Sequence, residues 1–418
     1  QWGSLGDDGE DARPEHGVGL CPGSGRVSCY CRRNLSLMDG IRNRAILFAL
    51  LFLIALVSAL GCLSSDFVVD RHDLTVTRTD AGGIEIWHTV FDEGGDEYGT
   101  ILLPVSDGGL LVGGSVKQSP ESDEQALLLK IAEDGRIEWN RSYPTRRAVQ
   151  VIVSHLDGSF TIGTGNGFLF RVAGDGTPIW THHMSESVLG ISGLPDGGIV
   201  AAGSKHGDDV WVAVVNDIGS LLWERTYPAL GLGRVLGVAS ASDGGYIVAG
   251  TMDRHPLWVM RLDREGEVVW NRTFEKEPEF TEVTLYWVYL LREKPGGSVE
   301  LLYKVGRTLE GEVVGRSVAV DRVLGRGGAD MSVTELDIPC PVTRTSDGGY
   351  ASACLESSQS GGYTFGNNLR SPIHIVKFDD RGEIAWNQTG TEAEVNIVAD
   401  IVQLSDGGFA VLGMYAKT

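Results

Sequence analysis

One short motif, Gly-x-x-x-Trp, constrains the fold of this chain more than anything else in it. It occurs as Gly83/Trp87, Gly135/Trp139, Gly176/Trp180, Gly219/Trp223, Gly266/Trp270 and Gly382/Trp386. A second element, Asp-Gly-Gly or Asp-Gly-Ser leading into an apolar run, alternates with it at Asp107, Asp157, Asp196, Asp243, Asp347 and Asp406. Successive tryptophans are 41 to 52 residues apart until a gap of 116 separates Trp270 from Trp386. That gap is two repeats wide. Within it, PGGSVELLY from Pro295 reads as a worn Asp-Gly-Gly turn, and GRGGADM as a worn tryptophan turn with Met331 in the tryptophan place. The count is seven units.

Each unit reads as four strands. In the fourth, RVLGVASAS enters the Asp-Gly-Gly turn, YIVAGT leaves it, LWVMRL follows a loop and EVVWNRTF follows the DREG turn. Gly-containing turns between runs rich in Val, Ile, Leu and aromatics are hairpin signals, so the four strands are antiparallel neighbours. Four-stranded units of this length predict an all-β, seven-bladed β-propeller. LTVTRTDAGGIEIW (74–87) aligns with LWVMRLDREGEVVW (257–270), so the chain starts on the outer half of a blade. It ends on SDGGFAVLGMYAKT, an inner half. The N- and C-terminal strands are therefore expected to share one blade and leave the ring no open edge.

A large indole at a fixed place on each outermost strand suits a structural role, packing between blades while its N–H finds a carbonyl. This assigns Trp87, Trp139, Trp180, Trp223, Trp270 and Trp386 as blade-docking residues. LDREGEVVW, FDDRGEIAW and AEDGRIEW resemble the tryptophan-docking repeat of pyrroloquinoline-quinone-type propellers, and DGGYIVAGT resembles the tandem repeats of archaeal and bacterial cell-surface propeller proteins. The resemblance spans residues 74–414 and implies a fold that hosts many activities. Quinoproteins of that superfamily hold their cofactor with a vicinal disulfide and a calcium site, whereas this chain has no Cys-Cys pair, seven units rather than eight, and no Cys-x-x-Cys-His haem signature. No catalytic residue, cofactor or metal is assigned, and the enzyme reading is the weaker one.

Residues 38–62 carry Arg42 and Arg44, an uncharged apolar run over 45–60, then Gly61-Cys62. This is the layout of a secretory signal peptide. Cys62 after ALG resembles a lipobox, which implies a lipidated cysteine, although Ala59 stands where leucine is usual. The alternative is an uncleaved signal anchor. Both place the propeller outside the cell membrane. Residues 1–37 precede Met38 and read as upstream or mis-started sequence, 63–73 as a tether and 74–418 as the propeller.

Outside the cell, Cys340 and Cys354 are expected to pair across the Asp347 turn, two buried thiols being the alternative. Asn140, Asn271 and Asn387 begin Asn-x-Ser/Thr sequons directly after docking tryptophans, open to glycosylation or simply to strand-forming Thr. The formal charge of −21 argues against nucleic acid as a partner. The Asp-Gly-Gly and tryptophan turns share one face of the disc, and the long, dissimilar loops fall on the other. On that variable face, His206, Asp208, Asp209, Asp253, His255, Tyr363, Phe365, Asn367, Asn368 and Arg370 are the candidate binding residues. The expected function is a membrane-anchored, extracytoplasmic, non-catalytic binding or scaffold module for a surface protein or glycan. The alternatives are an envelope-assembly scaffold, resembling the propeller lipoproteins of outer-membrane barrel assembly, or a secreted quinone-dependent or polysaccharide-acting enzyme.

Overall fold

The computed structural model describes residues 71–184, 186–205, 209–227, 234–252, 255–274, 282–308, 317–338, 340–355 and 371–417. Two compact units divide the chain, Gln1–Phe67 and Val68–Thr418, and every described residue belongs to the second. Cys62 and residues 1–62 lie outside the described residues, as do His206, Asp208, Asp253, Tyr363, Phe365, Asn367, Asn368 and Arg370.

Seven antiparallel sheets of four strands make a seven-bladed β-propeller. Blades one to six are simple meanders, beginning with Asp96–Pro104 as the innermost strand of the first and finishing with Ile384–Val395 as the outermost strand of the sixth. The seventh is composite. Ile397–Gln403 and Phe409–Lys417 supply its inner half, and Arg71–Thr79 and Glu85–Phe91 its outer half. The join runs from Arg71↔Lys417 to Thr79↔Phe409 without a register shift. The strand starts at Arg71, so the last three residues of the expected tether are already paired.

Hydropathy explains the layering. The middle strands are apolar on both faces, and Leu110–Lys117 is buried over all but its last residue. The outermost strands alternate, as in Glu85–Phe91, because only one set of side chains reaches a neighbour. Each apolar cluster is shared by two successive blades, as where Val112 and Leu129 of the first pack with Leu74 and Leu412 of the seventh. Trp211 and Trp258, both 1 % exposed, fill two of these seams.

The six docking tryptophans are half-buried and reach from one blade to the next. A Cβ on Gly135 would stand 2.8 Å from Trp87, and one on Gly83 2.8 Å from Trp386, so the contact passes across the closure as well. The Nε1 of Trp87 donates to the Glu133 carbonyl at 3.0 Å, and Trp139, Trp180 and Trp270 donate to Gly174, Asp217 and Arg326 at 3.0, 3.1 and 2.7 Å. The fifth blade differs from expectation. Gly328, not Gly327, takes the positive φ of its turn (79°), which moves the tryptophan place to Ser332. Met331 is 68 % exposed, and Leu336 occupies the space over Gly382.

Candidate functional site

The two faces of the disc are built differently. On the face of short turns, each aspartate of the Asp-Gly-Gly element accepts a backbone N–H two residues on, at 2.8 Å for Gly109 and 2.9 Å for Gly245 and Gly408. Five of these carboxylates also meet a buried cation from the third strand of their own blade. The pairs are Lys130–Asp107 (2.9 Å), Arg171–Asp157 (2.9 Å), Arg261–Asp243 (2.6 Å), Lys377–Asp347 (2.8 Å) and Arg78–Asp406 (2.8 Å). Hydrogen bonds from Ser159 and from Arg171 hold the Asp157 carboxyl down at about 2. Some of the cations also span blades. Arg171 donates to the carbonyls of Gly197 and Asp217 in the third blade, and Arg78 to that of Glu133 in the first. These five carboxylates and their cations are thus engaged with one another.

These cations were overlooked in the sequence although it marks them. A Lys or Arg stands five residues before the turn glycine in LLLKIAEDG, FLFRVAGDG, WVMRLDREG, IVKFDDRG and LTVTRTDAGG. Val214 and Val323 replace it in the third and fifth blades. The fifth compensates with Glu300, wholly buried, which meets Arg292 at 2.6 Å and Arg344 of the sixth blade at 3.6 Å.

The centre of the ring holds a cavity of about 250 Å³ walled by the innermost strands of blades one to five. Gln150, Arg234 and Trp287 bring an amide, a guanidinium and an indole to walls otherwise made by residues such as Ile191, Val235 and Leu291. Trp287, 51 % exposed, follows a bulge that interrupts the pairing of its strand between Leu285 and Trp287. Such a chamber suits a small ligand with one apolar face and one anionic or carbonyl group. Asp400 lies on the innermost strand of the seventh blade and accepts N–H bonds from Leu102 and Ile401, both 2.9 Å. Burial nevertheless raises its carboxyl to about 7.

On the variable face, Asp209 pairs in register with Lys205 at a strand end. The backbone of His255 pairs with that of Met252. Most of the other candidate residues there fall outside the described ones. Asn271 and Asn387 are exposed and Asn140 half-buried on outermost strands. Cys340 and Cys354 are joined with Cα atoms 5.4 Å apart, linking the strand Tyr350–Leu355 to the segment just before Val342–Arg344. His182 and His183 separate, the first bonding the Gly219 carbonyl and the second packing edge-on to Phe168. The same face carries Asp73, Asp92 and Glu97, a grouping that sequence reasoning did not assemble.

No protein-family model and no curated protein matches the chain. Among solved structures, it is similar to a protein of unknown function from Bacteroides caccae, at 15% identity and TM-score 0.44 over 68% of this chain and 93% of that one. Streptogramin B lyase is similar at 12% identity and TM-score 0.47, covering 82% and 98%. A catalytically inactive virginiamycin B lyase from Staphylococcus aureus with quinupristin gives 12% identity and TM-score 0.48, covering 81% and 99%.

Proposed function

We propose that this chain is an extracytoplasmic β-propeller of the tryptophan-docking, quinoprotein-like type, anchored at the cell membrane through a lipid-modified Cys62. It serves as a non-catalytic binding or scaffold module that engages a surface protein or glycan through its variable face. The observation that carries this reading is the asymmetry of the disc. One face spends its carboxylates and cations on internal clamps, whereas the loops opposite differ in length and composition from blade to blade, from MDRHP to ESSQSGGYTFGNNLRSP. A rigid scaffold with diverse loops on one side is a display surface. The disulfide supports an oxidising compartment, and the signal-like segment before Cys62 supports export.

A second reading, a secreted enzyme or small-ligand binder using the central chamber, is favoured by Arg234, Gln150 and Trp287 around the cavity. Native mass spectrometry of protein extracted from its own membranes separates the two. A chain beginning at lipidated Cys62 that loses no small molecule on denaturation supports the anchored binding module. A released quinone or other organic ligand favours the chamber. Alanine replacements across 356–372 that leave partner capture intact would defeat the choice of face.

A further inference from the structure

Three carboxylates converge where the seventh blade hands the chain to the first. Asp73 lies on Arg71–Thr79, Asp92 in the crossing loop and Glu97 on Asp96–Pro104, and one oxygen of each lies within 4.8 Å of the other two. Asp73 and Glu97 are wholly buried and Asp92 is exposed. Two oxygens on opposite sides of a calcium ion, each at about 2.3–2.6 Å, are separated by about 5 Å, so this spacing fits a single ion bound by all three.

Glu97 supplies an independent reason to place a cation here. Its carboxylate is turned into the group; Oε1 accepts the Gly95 N–H at 3.1 Å, while Oε2 is buried and takes no hydrogen bond from the described residues. An anionic oxygen withdrawn from water without a partner is costly, and this one is set among two further carboxylates. The loop is drawn in tightly around it. A Cβ on Gly95 would stand 2.9 Å from Glu97 Oε1 and 3.0 Å from the Lys117 carbonyl. The nearby His72 ring is engaged with Asp96 at 3.0 Å, which leaves an all-oxygen donor set. Hard oxygen ligands from two strands and a crossing loop, open to water at Asp92, suit calcium better than zinc or copper.

We propose that Asp73, Asp92 and Glu97 form a calcium site that pins the crossing between the closing blade and the first blade. The sequence reading assigned no metal, because the three residues belong to three elements and match no ligand motif.

The test uses the full chain stripped of metal with a chelator, then titrated with calcium chloride by calorimetry and followed by thermal melting. One calcium per chain and a rise of several degrees in Tm are expected. Asp92→Asn, at an exposed position, is expected to weaken calcium binding at least tenfold. Glu97→Gln is expected to raise the Tm of the metal-free protein by relieving repulsion while abolishing the calcium-dependent rise. Absence of any calcium-dependent shift in the unsubstituted chain overturns the proposal. So does an equal shift in both variants, which would place the ion elsewhere on this acidic surface.

Discussion

Lys304 is 2 % exposed on the second strand of the fifth blade, and burial pulls its ammonium down to about 7. The folded chain then binds this proton more weakly than the unfolded chain does. The penalty is complete below pH 7 and fades as pH rises toward the ordinary lysine value. Lys304→Met is therefore expected to stabilise the protein by about 1–3 kcal/mol at pH 6, with the gain shrinking by pH 9. Chemical denaturation at the two pH values checks it, and a gain independent of pH would assign the effect to packing. Asp400 has the opposite sign. Its carboxyl is raised to about 7 by burial, so its contribution to stability improves as pH falls from 7 toward 4. Asp400→Asn is expected to flatten that part of the stability profile. An unchanged slope between pH 4 and 7 would show that Asp400 does not titrate in this range.

At the scale of the element, the repeat is a turn glycine under a neighbour's indole. Gly135 has φ 89° and its Cβ position lies 2.8 Å from Trp87, whereas Gly158 has φ 78° and nothing within 4 Å. Alanine at Gly158 pays only for the left-handed backbone, about 1–2 kcal/mol. Alanine at Gly135 must also displace the tryptophan, so its cost is expected to exceed that of Gly158→Ala by about 1–3 kcal/mol. Urea midpoints at constant slope measure the difference. Equal losses would mean that the indole slides aside and contributes little to the seam between blades.

At the scale of the whole molecule, stability depends on closure. Every apolar seam joins two blades, and Arg71–Thr79 has its inner partner only in Phe409–Lys417. A chain ending at Val395 loses both inner strands of the seventh blade and leaves a long unpaired edge. Loss of the cooperative urea transition, with self-association on size exclusion, is the expected result. A monomer with an unchanged midpoint would show that closure contributes nothing. The sequence by itself determined the seven units, the four strands in each and the split blade, because those follow from local requirements that recur: a glycine at positive φ, an apolar run, a fixed spacing to an indole. It erred by one residue at Met331, where GRGG offered two glycines and only the folded backbone chose Gly328. It also carried the basic residue five before each turn glycine, yet the meaning of that residue appeared only when the third strand and the Asp-Gly-Gly turn lay side by side. The burial of Lys304, the bridge from Asp400 to Leu102 and the meeting of Asp73, Asp92 and Glu97 were decided by tertiary structure alone. They depend on which blade faces which and on how much water the ring excludes, and no local pattern of residues encodes either.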